Sequence, residues 1–171
     1  MSESGTIEAA KVGVARSPHW PTVERHFIES HPACAACGVT KGVQAHHVAP
    51  FHFCILVGRP DLELDPRNLV SLSESEKCLT EVNYHLLLGH ADNFQSSNLL
   101  VVSDIPRFYG KIEEQIRADE VWRDRVRTRC KPWHEWTDQN KADFRAMLDE
   151  KYPLPEGVTP EMALVALVPH H

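Results

Sequence analysis

No stretch of this 171-residue chain approaches the run of about 20 apolar residues that a membrane-spanning helix needs. The polar start, MSESGTIEAAK, lacks the apolar segment of a signal peptide, so the expectation is a cytoplasmic protein with no membrane partner. Cysteine is scarce and odd in number, 5 in all, which argues against a disulfide framework and for reduced thiols or metal ligation. Positive charge is short as well: 18 Lys and Arg face 24 Asp and Glu, a net of −6. That balance excludes a uniformly basic surface, and a polyanionic partner would have to be met by local positive charge or by a metal. No internal repeat or low-complexity segment is present. The length allows one domain with room for an appendage, enough to bury an ordinary core.

Histidine is what the chain has in excess, 11 in all. His31, His46, His47, His52, His85 and His90 fall in one half of the chain, which is where ligation or acid–base chemistry is to be sought. Residues 1–16 are small and polar and read as a loose arm. A short helix follows, with Val23 and Phe27 on one face, ended by His31-Pro32. Helical periodicity then stops. Cys34-Ala-Ala-Cys37-Gly38 forms a knuckle, and Val43 to Val48 reads as a strand stopped by Pro50. Phe51 to Pro66 reads as a long ordered loop, Asn68 to Leu72 as a second strand, and Glu81 to Leu88 as a helix ended by Gly89. Beyond it, Ile105, Phe108, Ile116 and Trp122 are spaced as in a single long helix from Asp104 to about Arg129; helices near 138–151 and 161–167 complete the chain.

A strand ending in His46-His47, Asn68 opening the next strand, and a helix bearing His85 with His90 beyond it can converge on one pocket. There neutral imidazoles bind a divalent ion while another is left as a base. An isolated histidine is more often a hydrogen-bonded structural residue; the ordered set carries the signal.

Five segments in this order resemble the HNH nucleases, the ββα-metal endonucleases. They are Trp20 before the first helix, His31-Pro-Ala-Cys-Ala-Ala-Cys-Gly38, Ala45-His-His-Val-Ala-Pro-Phe51, Leu62-Glu-Leu-Asp-Pro-Arg-Asn-Leu69 and Asn83-Tyr-His-Leu-Leu-Leu-Gly-His90. The resemblance implies an α+β fold with a small ββα-metal core at 17–98, followed by a helical C-terminal extension at 99–171. It also implies hydrolysis of DNA phosphodiester bonds, RNA not excluded, to 5′-phosphate and 3′-hydroxyl ends. The cofactor would be one divalent ion: Mg, Mn, Ni or Zn. By the same likeness His47 is the general base, Asn68 keeps it oriented, and His46 and His85 ligate the metal. His90 lies five residues after His85, where the colicin-like members have four. Two functional roles stay open for it, third ligand or phosphate contact, with a solvated histidine at the loop end as the alternative.

Cys34 and Cys37 match half of a structural zinc knuckle whose other cysteine positions hold Ser73 and Tyr84 here. A knuckle packed without metal is the favoured expectation, and a zinc site completed by Cys78 and a histidine is the alternative. Phosphate contacts are expected among Arg59, Arg67 and Lys77, and from Arg125, Arg127 and Arg129 beside Trp133 and Trp136. The rival function is a non-catalytic zinc-binding interaction module on Cys34, Cys37, His85 and His90. It needs an unusually long ligand spacing and leaves His46, His47 and Asn68 without a role.

Overall fold

The computed structural model describes residues 13–74, 82–127 and 133–170. Its centre is an antiparallel hairpin, β1 (Val43–His47) and β2 (Leu69–Ser73), paired from Val43 opposite Ser73 to His47 opposite Leu69. Consecutive strand residues face opposite sides, and here both sides are covered. Ala45 and Leu69 pack with Trp20 and Phe27 of helix α1 (Trp20–Ser30), whose first turn begins with proline. Val70 and Leu72 pack on the other face with Val82, Tyr84, Leu87 and Leu88, from the segment that bears His85. A two-stranded ribbon is marginal in water, and this double coverage is what sustains it.

The segment between the strands departs from the expected loop. Phe51–Leu56 forms a helix, α2, followed by 3₁₀ turns at Pro60–Glu63 and Pro66–Asn68. Phe51, His52, Phe53 and Cys54 are all buried, so the helix has no polar face and no helical period to read. Gly58, at φ 83°, takes the left-handed turn that follows it.

The long helix expected at 104–129 is divided into α3 (Val101–Phe108), α4 (Glu113–Arg117) and α5 (Glu120–Arg127). Gly110, at φ 68°, turns the chain after α3, and its N–H donates to Ala36 O at 2.9 Å. The carboxylate of Asp119 accepts from Trp122 N and opens α5. Ile105, Phe108, Ile116 and Trp122 still reach one cluster, because three folded-back turns satisfy the same apolar spacing as one straight helix. Asp104 is internal to α3 and buried; its Oδ2 accepts from Trp122 Nε1 and Asn98 Nδ2, both at 2.9 Å. Helix α6 (Asp138–Lys151) starts at a reciprocal cap between Thr137 and Asn140, and α7 (Pro160–Leu167) follows with Thr159 capping Met162 N. Phe144, Leu148 and Tyr152 pack on Ala49, Phe53, Cys54 and Leu62, while Leu164 and Leu167 join the Trp20 cluster. The C-terminal helices therefore share their cores with the hairpin and α2. No helix among the described residues is long and apolar enough to cross a membrane.

Arg59, expected as a phosphate contact, is fully buried. Its guanidinium donates to both oxygens of Asp61 at 2.8 and 3.0 Å, to Asp149 at 2.9 Å and to Tyr152 O at 3.0 Å. A group with its donors so committed ties α6 to the turn after α2, and no phosphate can reach it. Removing one member of a buried pair strands the other charge, so Arg59→Met should cost about 3–5 kcal/mol in urea unfolding. Asp149→Ala, at the half-exposed end of the network, should cost about 1 kcal/mol or less. Equal losses would contradict the buried pair as the anchor.

Candidate metal centre

His46, on the β1 face opposite His47, points toward a single π-helical turn at His85–Gly89. This turn places His90 beside His85. On an α-helix five residues carry a side chain well off the starting face, but the wider π-turn brings i and i+5 back together, and such turns concentrate at functional sites. The ring centroids of His85 and His90 lie 4.8 Å apart and each lies 4.9 Å from that of His46. One nitrogen from each of the three rings falls within 4.8 Å of the others. Gly89, expected only to end the helix, makes the approach possible: a Cβ there would sit 2.9 Å from His46 Cε1.

The tautomers follow from the hydrogen bonds. His85 Nδ1 donates to Glu74 Oε1 at 3.0 Å, and His90 Nδ1 donates to Ser96 O at 2.7 Å, because neither acceptor carries a proton to give. The two Nε2 atoms face each other at 3.2 Å, near enough to share one proton or one ion. Two lone pairs at that distance repel unless something electropositive lies between them. Nitrogens about 2.0–2.1 Å from one tetrahedral ion stand roughly 3.3 Å apart, so the separation fits a shared metal. His46 Nε2, buried and without a hydrogen-bond partner among the described residues, supplies the third donor. Carboxylate and carbonyl partners on the outer ring nitrogens are the usual support of ligating imidazoles. The donor set therefore fits a divalent ion, with an all-nitrogen character that favours borderline metals.

The turn beyond His90 is strained. Ala91 and Asp92 have φ of 48° and 62°, left-handed conformations that L-residues other than glycine take at a cost of about 1–2 kcal/mol each. Arg117 holds the Asp92 carboxylate through Nε and Nη2, each at 3.1 Å, and Arg127 Nε donates to Ala91 O at 2.7 Å. Helices α4 and α5 thus fasten the loop that aims His90.

His47 lies on the other face of β1, against Trp20 with ring centroids 4.4 Å apart and against Phe51 at 5.5 Å. Its Nε2–H donates to Glu63 O at 2.8 Å, which leaves Nδ1 as the basic nitrogen. Burial, then the charge of Arg16, lowers its pKa to about 3, so the ring is neutral at physiological pH. Asn68 is fully buried; its amide bridges Ala49 and Leu62, the residues on either side of the His47–Glu63 contact. Arg16 is a site residue that the sequence pattern assigned to the loose arm. Its guanidinium lies 4.1 Å from the Phe51 ring centre, 4.6 Å from that of Trp20 and 4.0 Å from Glu63 Oε1. Among the described residues its buried Nη1 has no hydrogen-bond partner. A lone arginine has no periodicity; its nearness to the Ser-Pro-His-Trp-Pro run was the only available cue.

Of the other expected phosphate contacts, Arg67, Arg125 and Arg127 fall among the described residues. Arg67 pairs with Asp65 and Pro153 O, Arg127 is committed to Ala91 O, and Arg125 is exposed on α5. Lys77, Cys78 and Arg129 lie outside the described residues. Cys34 is buried and its Sγ accepts from Ser73 N at 3.3 Å, while Ser73 Oγ donates to Val82 O and Tyr84 OH to Lys111 O. At the two positions where a zinc knuckle would hold further cysteines, hydrogen bonds hold the loop together. His85 and His90 meet His46, not Cys34 and Cys37, which divides the ligand set of the rival zinc module. No family model, curated protein or solved structure matches the chain.

The buried imidazoles set a pH dependence. Burial and the neighbouring rings hold His46 well below its ordinary value, and burial above all lowers His90 to about 3, as it does His47. Above about pH 6.5 these rings are neutral whether folded or unfolded; below it only the unfolded chain takes up their protons. Stability in EDTA should therefore be full above about pH 6.5 and fall toward pH 5 by up to about 1.4 kcal/mol per pH unit for each such histidine. Urea unfolding across that window checks it. A flat profile would show that these rings titrate normally.

Proposed function

We propose that the chain is a metal-dependent endonuclease that hydrolyses DNA phosphodiester bonds to leave 5′-phosphate and 3′-hydroxyl ends. The observation that carries this reading is the pairing of two neighbouring histidines with opposite tasks. His46 joins His85 and His90 around one point, while His47 stands beside it, neutral and oriented by Glu63 O. A divalent ion bound to His46, His85 and His90 would supply Lewis acidity toward a non-bridging phosphate oxygen and the departing 3′ oxygen.

The chain's own groups account for the rest. His47 Nδ1 accepts the proton of the attacking water, and its Nε2–H bond to Glu63 O keeps the lone pair aimed. Burial first, and then the charge of Arg16, lowers the proton affinity of His47. A phosphodiester beside Arg16 would offset the second of these effects and raise that affinity. Arg16, whose Nη1 makes no hydrogen bond among the described residues and lies 4.0 Å from Glu63 Oε1, supplies the positive charge that such an anion needs. This local positive charge answers the net charge of −6. Phe94 packs on the His90 ring at 5.1 Å and keeps bulk water from one side of the cluster.

Plasmid nicking with a panel of divalent ions, each against an EDTA control, tests the reading. His47→Ala should lose about 10²–10⁴ in rate while metal affinity stays within a few-fold of the parent, because only the proton acceptor is lost. His46→Ala should lose metal and activity together. Activity in EDTA would remove the metal mechanism, and loss of metal in His47→Ala would exchange the two assignments.

A further inference from the structure

Asn68 has no exposed surface, and every hydrogen-bonding position of its amide is filled. Nδ2 donates to Ala49 O at 2.9 Å and Leu62 O at 3.0 Å, and Oδ1 accepts from Ala49 N at 2.8 Å. The second lone pair of Oδ1 accepts from Tyr152 OH at 3.0 Å, a residue 84 positions further along the chain. Tyr152 sits at the end of α6, where its N–H closes on Leu148 O and its own carbonyl accepts from the buried Arg59. The ring is packed among Ala49, Cys54, Leu62 and Phe144. A phenol so enclosed stays protonated, since burial pushes its pKa up, and it has one donor direction, toward Asn68.

We propose that Tyr152 is a positioning residue for His47, acting through Asn68. The chain of contacts is short. Tyr152 fixes the Asn68 carbonyl; Asn68 holds Ala49, two residues after His47, against Leu62, which precedes Glu63; and Glu63 O receives His47 Nε2–H. Without the phenol, a buried amide oxygen loses one of two donors and the amide is free to rock between its remaining partners. The base is then aimed less tightly, although nothing near the three-histidine cluster has changed. The C-terminal helices thereby become part of the catalytic unit, where the sequence pattern had placed them outside it. The activity arm of the test rests on the nuclease reading; the structural arm does not.

Tyr152→Phe keeps the ring and deletes only the hydroxyl, and circular dichroism checks that it folds. Nuclear magnetic resonance of the His47 imidazole in the full chain reads the coupling without any substrate. The Nε2–H proton should exchange with solvent about tenfold faster or more in Tyr152→Phe than in the parent, and the Nε2-protonated tautomer should lose its dominance. In plasmid nicking kcat should fall about 3- to 10-fold, with KM and the half-saturating metal concentration within about twofold. Asn68→Ala combined with Tyr152→Phe should be no slower than Asn68→Ala alone, since the second change acts through the first. An unchanged Nε2–H exchange rate and tautomer would overturn the role of Tyr152, whatever the activity. A parent that nicks DNA with none of the ions would overturn the nuclease reading instead, and the resonance measurement would still decide the positioning role. Multiplicative losses in the double variant would also count against it.

Discussion

Two imidazole Nε2 atoms face each other at 3.2 Å, with a third buried ring beside them. That contact needs a proton or an ion between the nitrogens, and the surrounding structure holds it closed from several directions. The hairpin register places His46 at the end of β1. The π-turn folds five residues back onto one side. A strained pair, Ala91 and Asp92, aims His90 and is clamped by Arg117 and Arg127. Glu74 and Ser96 fix the proton of each outer nitrogen. Strain and lone-pair opposition are affordable only where a bound ligand or a stable scaffold offsets them, and an ion among the rings would relieve the opposition directly.

The second consequence of the architecture is a division of labour across the hairpin. The alternation of a strand sends His46 and His47 to opposite faces, so His46 meets the two other imidazoles while His47 faces Trp20 and Phe51, over whose rings Arg16 lies. They remain close enough for His85 to add a last, small part to the lowered proton affinity of His47, after burial and Arg16. The C-terminal helices brace both sides, through Tyr152 at Asn68 and through α4 and α5 at the His90 turn.

Much of this was legible in the sequence because it depends on short spacings. The hairpin, the helix at 138–151 and the grouping of His46 with His85 follow from residue order, and the structure places them accordingly. The helix at Phe51 was not legible, since a fully buried helix shows no amphipathic period. Nor was the division of the segment after Asp104, because three short helices present the same apolar spacing as one. The roles of Arg59 and Arg127 depend on partners far away in the sequence, Asp149 and Ala91. A charged residue near a motif looks the same whether it faces phosphate or a buried carboxylate. The five-residue interval to His90 was ambiguous for one reason: primary sequence does not announce a π-turn.

Among the described residues, His46, His85 and His90 lie close enough together to hold one divalent ion, with no cysteine in the group. Titration with Co²⁺, followed by visible and near-ultraviolet absorption, tests it most directly, because imidazole and thiolate ligands give different spectra. One cobalt per chain is expected, with ligand-field bands, no thiolate charge-transfer band, and loss of binding in His85→Ala but not in Cys34→Ser. A thiolate band abolished by Cys34→Ser, with binding retained in His85→Ala, would contradict it.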